Sequence, residues 1–303
     1  MTGLSSTISF KTPAKVNLGL NILGKREDGF HELETLFQMV NWCDEIKIEC
    51  LSEGLDLVCD QPEIPTDGGN LVIKAARLLQ ARFPGRCRGA RIHLTKNIPH
   101  GAGLGGGSGN AAGVLLGLNF LWGLNLKRKD LILLASDLGS DVPFFLFSPC
   151  AVGRGRGEIL EPVESSVRFY ILMVYPRFPV STAWVYGNLK LELTKQQNNI
   201  SILKKFLLQS DFAQLGAAWS NDLEHVVFKE YPEVFAIKKE ILALGAKGAL
   251  LSGSGSTVFG IFDSSGTANT AFAKLDGGRF GLFLAESIIS FTELYPDEML
   301  AAL

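Results

Sequence analysis

The sequence is poor in cysteine and has no paired cysteine motif. Its five cysteines, at positions 43, 50, 59, 87 and 150, are odd in number and never form a C-x-x-C pair. A disulfide framework or a structural zinc site would require pairs at close spacing. The cysteines therefore predict reduced thiols in a cytoplasmic protein without a protein-bound metal.

Long hydrophobic runs and an excess of one charge are also missing. The longest apolar runs are far shorter than a membrane span, and residues 1–10 lack the pattern of a secretory or transit peptide. With 29 Lys and Arg against 31 Asp and Glu, the net charge of −2 gives no global attraction to nucleic acid or to acidic membranes. We therefore expect neither a nucleic-acid nor a membrane partner.

The length of 303 residues allows two domains that share a cleft. The soft boundary near 161–166 predicts domains at 1–163 and 164–303. Alternating apolar and polar residues at 8–12, 44–50 and 55–59 predict an antiparallel sheet, with the first strand ending at Pro13. Asn70 is a predicted N-cap for a helix over 71–83. Further helices are expected near 201–209, 212–219 and 233–244, and the polar stretch 195–200 is the best loop candidate.

The most informative stretch is the glycine-rich segment 99–110, which carries Gly at 101, 103, 105, 106, 107 and 109. It runs directly into residues 111–122, whose apolar positions Val114, Leu115, Leu118, Leu121 and Trp122 have helical spacing on one face. A glycine loop that opens a helix lets backbone N–H groups approach an anion, with the helix dipole behind them. Glycine also permits the positive φ angles of an anion-binding nest, which we expect at Gly106 as well. The segment predicts a phosphate-binding loop.

The type of phosphate loop can be narrowed. The Walker pattern fails because no lysine follows the glycines before Lys127. Gly101, Gly103 and Gly106 satisfy G-x-G-x-x-G, the pattern of NAD(P)-dependent oxidoreductases, but that match is weak alone. The preceding residues 90–95 alternate instead of forming a buried apolar strand, and no carboxylate follows before Asp130. The oxidoreductase therefore stays as the alternative function.

Several polar side chains stand at positions suited to a cleft. Lys15 and Asn17 share one face of the strand-like run 13–23, where the alternative is a solvated strand face. Phe30 and His31 follow a charged turn, and the alternative is a core phenylalanine beside a loop histidine. Asp141 lies at a turn between a helix and an apolar run, where a turn or cap residue is the plainer interpretation. The second glycine-rich turn, 252–257, is either a plain hairpin or a second wall of the phosphate site.

Three blocks in a fixed order carry a family resemblance: 13–18 (P-A-K-V-N-L), 99–112 and 252–259. They resemble the GHMP kinases, small-molecule kinases named for galactokinase, homoserine kinase, mevalonate kinase and phosphomevalonate kinase. The block 24–38 and the acidic motif 138–143 are similar to members that phosphorylate a hydroxyl of a cytidyl diphosphate sugar alcohol in isoprenoid-precursor synthesis. The resemblance spans nearly the whole chain, from Lys11 to about Phe262.

The resemblance implies a two-domain α/β (α+β) fold, with an N-terminal half like ribosomal S5 domain 2 and a ferredoxin-like C-terminal half. It implies ATP as cosubstrate and Mg²⁺ carried with ATP. We also expect a monomer or weak homodimer. The matching catalytic pair is Lys15 and Asp141. The positions that match ATP contacts are Asn70, Lys96, Pro99, Gly101, Ala102, Gly103, Leu104, Gly105, Gly106, Gly107, Ser108 and Gly109. The positions that match substrate contacts are Asn17, Phe30, His31, Thr182 and Tyr186.

Two positions depart from the family pattern. Phe30 stands where many members have Tyr, which keeps base stacking and removes a hydroxyl hydrogen bond. Gly109 replaces a serine of the loop, so Ser108 alone is left to supply a hydroxyl to phosphate or Mg²⁺. A GHMP kinase for another small alcohol and a nucleotide-binding protein without catalysis are further alternatives. The presence of both Lys15 and Asp141 favours a kinase.

Overall fold

The computed structural model describes residues 6–190 and 199–303. Its strands are β1 (Thr7–Lys25), β2 (His31–Leu51), β3 (Leu55–Cys59), β4 (Gly89–Thr95), β5 (Cys150–Gly155), β6 (Ile159–Pro162), β7 (Tyr170–Tyr175), β8 (Gly248–Leu251), β9 (Val258–Phe262) and β10 (Gly281–Glu286). Its helices are α1 (Leu71–Arg82), α2 (Gly106–Leu121), α3 (Arg128–Ser136), α4 (Phe144–Phe147), α5 (Thr182–Gly187), α6 (Ile200–Leu208), α7 (Phe212–Ala218), α8 (Glu224–Glu230), α9 (Pro232–Ala243), α10 (Ser265–Lys274) and α11 (Asp297–Leu300). The loop predicted at 195–200 falls mainly outside the described residues.

The first sheet is organised around the long strand β2. One edge of β2 pairs with β1 along its whole length, while its other edge pairs first with β5 and then with β4. All pairings are antiparallel except that of β3 with β4. The prediction that the first strand ends at Pro13 is wrong, because β1 continues through a register shift between Pro13 and Ala14. Proline has no N–H for the ladder, and such a bulge accommodates it.

Helix α2 lies against this sheet and is buried on all sides. The sequence predicted one apolar face, but the helix passes between the sheet and α1 within one hydrophobic cluster. Glycines make this close approach possible. A Cβ on Gly113 would lie 2.4 Å from Thr12 Cγ2, and one on Gly117 would lie 2.8 Å from Ile48 Cδ1. The close packing fixes the N-terminus of α2 relative to β1.

The second sheet has the strand order β10-β7-β9-β8, and all its pairings are antiparallel. Helices α5 to α9 join its first two strands in sequence, and α10 joins the last two. This βαββαβ order confirms the ferredoxin-like expectation. The predicted helices near 201–209, 212–219 and 233–244 are confirmed as α6, α7 and α9, whereas α8, α10 and β10 were not predicted.

Residues from both halves of the chain pack together in the hydrophobic clusters of the two sheets. The first sheet ends at Pro162 and the second begins at Tyr170, so the boundary at 163/164 stays a prediction between them. Val16 and Leu18 of β1 pack in one cluster with residues of the second sheet. The segment 288–303 returns to the first core, where Leu294, Tyr295 and Met299 are buried.

The five cysteines are all unpaired, in agreement with the expectation of reduced thiols, and Cys150 is buried. Over residues 6–190 and 199–303, no helix has both the length and the apolar composition needed to span a bilayer.

Candidate active site

A cleft of about 1140 Å³ lies where the glycine loop, the middle of β1 and the second glycine turn meet. It brings together nearly all the side chains and loop residues that the sequence predicted. The predicted residues that line it are Lys15, Asn17, Phe30, His31, Asn70, Lys96, Pro99, Gly101, Ala102, Gly103, Leu104, Gly105, Gly106, Gly107, Ser108, Asp141, Thr182 and Tyr186. Gly109 is the one predicted residue outside this lining.

The carbonyl groups of the glycine loop accept hydrogen bonds from β1 and from segments of the C-terminal half. The hydrogen bonds are Val180 N–H to Gly101 O (3.1 Å), Thr257 N–H to Ala102 O (3.3 Å), Ser252 Oγ–H to Gly103 O (3.0 Å) and Lys15 N–H to Leu104 O (2.9 Å). In a trans peptide the C=O and the next N–H point in opposite directions. The N–H groups of residues 102–105 therefore point away from those partners, and the same residues line the cleft. The loop has the arrangement of an anion-binding nest ahead of the α2 N-terminus.

Three glycines of the loop are required by backbone conformation. Gly101, Gly103 and Gly105 have φ values of 66°, 78° and 69°, and Gly105 is the N-cap of α2. A Cβ on Gly103 would also lie 2.0 Å from Ser252 O. The expectation of a positive φ at Gly106 is wrong. The position is crowded instead, because a Cβ on Gly106 would lie 3.0 Å from Ile98 Cγ2 and 3.2 Å from Lys96 Nζ, closer than ordinary van der Waals contact.

Gly109 faces the strand behind the loop, not the cleft. A Cβ at this position would lie 2.8 Å from Pro13 O and 3.3 Å from the ring of Phe145. Packing of α2 on β1 accounts for this glycine, and its placement among the ATP contacts stays a prediction. Ser108 lines the cleft, as expected.

Lys15 is buried, with 4% of its surface exposed, and it is held by a chain of hydrogen bonds. Its ammonium donates to Asn17 Oδ1 (2.7 Å), and Asn17 Nδ2 donates to Thr35 Oγ1 (2.8 Å). The Thr35 hydroxyl donates to Gly19 O (2.6 Å), a carbonyl that can only accept. This polarity fixes the Asn17 amide with its oxygen toward the ammonium. The solvated-strand alternative for Lys15 and Asn17 is wrong.

Asp141 faces Lys15 across the cleft. Its Oδ2 lies 3.6 Å from Lys15 Nζ, and a third of its side chain is exposed. A buried ammonium needs such a counter-charge. The N-cap of α4 is Pro143, so Asp141 is not the cap of that helix; it lies in the turn before it, the other half of its plainer interpretation. Burial, together with the nearby Asp141 carboxylate, raises the pKa of Tyr186, so its phenol stays protonated.

Aromatic and cationic side chains line the end of the cleft beyond Asp141. Phe30 is 54% exposed, which rules out the core alternative, and the Arg156 guanidinium lies 5.0 Å from its ring centre. His31 packs against Tyr186 with ring centres 5.2 Å apart. Burial, with a smaller effect of Lys25, lowers the pKa of His31, which favours its neutral form. The Thr182 and Ser254 hydroxyls are hydrogen-bonded at 2.8 Å.

The opposite end of the cleft is apolar. The side chains that line it include Ile64, Pro65, Leu71 and Leu94. Asn70 caps α1 as predicted, because its Oδ1 accepts from Val72 N–H at 2.9 Å and its Nδ2 donates to Pro65 O at 2.6 Å. An apolar slot beside amide and ammonium groups has the character of a nucleobase site.

Lys96 sits at this end in a buried polar network. Its ammonium donates to the buried Asp44 carboxylate and to Asn110 Oδ1 at 3.2 Å. Asp44 Oδ1 also accepts from the N–H groups of Asn97 and Ile98, both at 2.8 Å. Asp44 therefore fixes both Lys96 and the backbone that leads into the glycine loop.

The second glycine turn serves both of the roles that the sequence left open. It joins β8 to β9 as a hairpin and packs directly on the glycine loop through Ser252 and Thr257. Gly253 and Ser254 line the cleft. The turn is therefore a second wall of the site.

Both halves of the chain match models of known domains. Residues 70–149 match the GHMP kinases N terminal domain, and residues 203–278 match the GHMP kinases C terminal. A 4-diphosphocytidyl-2-C-methyl-D-erythritol kinase of Chlorobium phaeobacteroides (strain BS1) is 45% identical over 92% of this chain and 97% of its own length. The protein of that name from Geobacter sp. (strain M21) is 43% identical over 90% and 95%. The chain belongs to the GHMP kinase family, in its branch of 4-diphosphocytidyl-2-C-methyl-D-erythritol kinases.

Solved structures of GHMP kinases have the same fold. The crystal structure of a 4-(cytidine 5'-diphospho)-2C-methyl-D-erythritol kinase has a TM-score of 0.81 and 35% identity, covering 92% of this chain and 99% of that one. A homoserine kinase from Cytophaga hutchinsonii has a TM-score of 0.71 and 22% identity, covering 95% and 96%, and shares the fold. These likenesses support a kinase over the NAD(P)-dependent oxidoreductase.

Some residues that line the cleft of this kinase were not predicted. Thr35 looked like an ordinary strand residue, and only its pairing opposite the Asn17–Leu20 irregularity brings it to Asn17. Arg156 belongs to the basic turn that joins β5 to β6. The pairing of β5 with β2 carries this turn to Phe30. The sequence alone could not show that the turn of Arg156 lies beside Phe30, because this depends on the pairing of β5 with β2.

Proposed function

We propose that the protein transfers the γ-phosphoryl group of ATP to the 2-hydroxyl of 4-diphosphocytidyl-2-C-methyl-D-erythritol. The observation that carries the proposal is the Lys15–Asp141 pair, 3.6 Å apart and facing the glycine loop within one cleft. The names of relatives at 43–45% identity support the choice of acceptor.

Phosphoryl transfer passes through a loose transition state, so positioning and charge stabilisation supply most of the catalysis. Asp141 would orient the acceptor hydroxyl and accept its proton as the new P–O bond forms and the bond to ADP breaks. Lys15 would offset the negative charge on the transferred group, and Asn17 holds its ammonium in place. Tyr186, whose pKa burial raises, keeps a neutral phenol near Asp141 and adds no competing negative charge.

The N–H groups of residues 102–105 and the N-terminus of α2 would hold the ATP phosphates, with the base toward Asn70 and Lys96. Mg²⁺ usually arrives on nucleotide phosphates with few protein ligands. The Ser108 hydroxyl at the start of α2 suits such a contact. The ion would supply charge neutralisation between the phosphates.

The cytidyl diphosphate of the acceptor would occupy the aromatic end of the cleft. The exposed face of Phe30 can stack on a pyrimidine, and a neutral His31 can donate or accept a ring hydrogen bond. Arg156, which lies over Phe30, places a cation beside the expected position of the diphosphate.

A cytoplasmic location and a monomeric or weakly dimeric state remain predictions.

The test is ATP consumption by the purified protein with defined acceptors. We expect ADP release and a phosphorylated product only with the cytidyl acceptor. 2-C-Methyl-D-erythritol 4-phosphate, which lacks the cytidyl group, should turn over very poorly. Equal turnover of both acceptors, or preference for homoserine or mevalonate, would replace the proposal with a GHMP kinase for another alcohol. Nucleotide binding without turnover of any acceptor would favour a non-catalytic binding protein.

A further inference from the structure

A short segment, 220–224, forms hydrogen bonds both with β1 and with the second glycine turn, and we call it the clamp. It forms hydrogen bonds with β1 just beyond Asn17: Leu20 N–H donates to Ser220 O (3.1 Å), and Asp222 N–H donates to Leu20 O (3.0 Å). Ile22 N–H donates to the Asp222 carboxylate (2.7 Å). The clamp is thus attached to β1 where the β1–β2 register is irregular.

The other end of the clamp holds the glycine turn through Asn221. This side chain is only 4% exposed. Its amide donates one hydrogen to Leu251 O (2.9 Å) and the other to Gly253 O (2.7 Å), while its Oδ1 accepts from Leu223 N–H (2.9 Å). Both carbonyls can only accept, so the orientation of the amide is fixed and both its donors are used.

Gly253 lies at the point where the turn meets the proposed catalytic groups. A Cβ built on it would be 3.2 Å from Lys15 Nζ and 3.2 Å from Gly103 O. The same Cβ would be 3.4 Å from Asn17 Oδ1. The backbone at Gly253 therefore borders the Lys15 ammonium and the glycine loop together. A shift of this backbone changes the space in which the ammonium sits.

We propose that Asn221 is a positioning residue for phosphoryl transfer: by fixing Gly253 relative to β1, it sets the position of the Lys15 ammonium. The proposal rests on the proposed function, since Lys15 must act on the transferred group. Asn221 itself touches neither reacting atom, and it acts through Gly253. A misplacement of a catalytic group by about 1 Å can cost about 10²-fold in rate.

The test variant is Asn221→Asp in the full chain, assayed at pH 8. Aspartate keeps the size and the acceptor toward Leu223 N–H, but it replaces the two donated hydrogens with an oxygen facing two carbonyls. We expect kcat to fall about 10²-fold. Because the contacts from Ser252 and Thr257 to the glycine loop remain, we expect KM for ATP to change less than about threefold.

Glu224→Gln is the matched control. Glu224 belongs to the same clamp and accepts from Leu251 N–H (3.0 Å), but it pairs with Lys238 and has no bond to Gly253. A glutamine retains the acceptor and loses the ion pair, so it should lower the unfolding midpoint without lowering kcat of the folded enzyme. If both variants lose kcat equally, Asn221 has only a structural role and the proposal fails.

A double-mutant cycle that combines Asn221→Asp with Gly253→Ala tests whether Asn221 acts through Gly253. If Asn221 acts through Gly253, the double variant should lose little more kcat than the more impaired single variant. The proposal would be overturned if the fold-losses in kcat of the two single variants multiplied in the double variant. It would also be overturned if the Asn221→Asp enzyme had an unchanged kcat. Should Asn221→Asp not fold, Asn221→Ser, with one hydroxyl donor, should show a smaller loss in the same direction. The unmodified protein is assayed alongside: if it turns over no acceptor, the proposed function fails instead.

Discussion

Asp141 faces the buried Lys15 ammonium on one side and the open cleft on the other. Replacing its carboxylate with an amide keeps the shape and removes the proton acceptor. We expect Asp141→Asn to lower kcat by about 10²- to 10⁴-fold while calorimetric titration shows unchanged ATP binding. Lys15→Ala should also lose mainly kcat, through lost charge stabilisation.

Asp137→Asn is the control for Asp141→Asn, because Asp137 caps the C-terminus of α3 and pairs with Arg82 at the exposed surface. It should keep full turnover. An Asp141→Asn enzyme with most of its activity would reduce Asp141 to a structural turn residue.

Phe30 presents its ring to the cleft with Arg156 on it. Since base–aromatic stacking contributes about 1–3 kcal/mol, Phe30→Ala should raise KM for the cytidyl acceptor about tenfold or more and leave KM for ATP little changed. The control is Phe235→Ala on α9, where Phe235 is 40% exposed beneath Lys239 at 4.2 Å. Steady-state kinetics with both substrates varied separately would decide. Equal effects of the two variants on acceptor KM would contradict a stacking role.

Single residues differed in how far the sequence could assign them. Asn70 acts as a helix cap through a hydrogen bond to the residue two positions on, so local sequence was sufficient. Lys15 and Asp141 could be proposed as a catalytic pair only through the family resemblance, since they are 126 positions apart in the sequence. The roles of Thr35 and Arg156 depend on sheet register, which local patterns do not encode.

At the scale of elements, the glycine loop and α2 form one unit whose position depends on several close contacts. Gly106 is the first residue of α2, and a branched side chain there would crowd Ile98 and Lys96, which a Cβ alone already approaches to 3.0 and 3.2 Å. We expect Gly106→Val to displace Lys96 and the first turn of α2, which should abolish measurable ATP binding in a calorimetric titration. Unchanged affinity would mean that the loop does not hold phosphate.

Gly266→Val is the control for Gly106→Val. Gly266 also lies in the first turn of a helix, α10, but a Cβ there would meet only Ser264 Oγ at 3.8 Å. This variant should bind ATP normally. The comparison separates the intrinsic cost of valine in a first helical turn from the loss of the phosphate site.

The elements predicted best were those with a strong local signal. The bounds of α6, α7 and α9 agree with the predicted ranges within about a residue, because capping residues or proline mark their starts. Strand β1 was interrupted in the prediction because proline usually ends a strand, and its continuation depends on the partner strand β2. Helix α2 was assigned one apolar face because helical periodicity cannot show that a second layer will cover the other.

At the scale of the whole molecule, the two halves complete each other's cores. Met299 lies in α11 and is fully buried in the core of the first sheet. Met299→Ala should therefore lower the free energy of unfolding by about 2–5 kcal/mol, the usual cost of such a truncation in a core. Its exposed neighbour Glu298 provides the control, since Glu298→Ala should stay within about 0.5 kcal/mol. Urea unfolding followed by tryptophan fluorescence measures both, and equal midpoints would contradict this packing.

The return of segment 288–303 to the first core also sets an order of events during synthesis. A ribosome makes the first sheet, α1 and α2 early, but the side chains of Ile288, Leu294, Tyr295 and Met299 that complete this core are made only after the second sheet. Until then the emerging chain exposes the apolar surface that these side chains later cover. Chaperones that bind exposed apolar surface would therefore have a binding site on the nascent chain from the synthesis of the first sheet until that of segment 288–303.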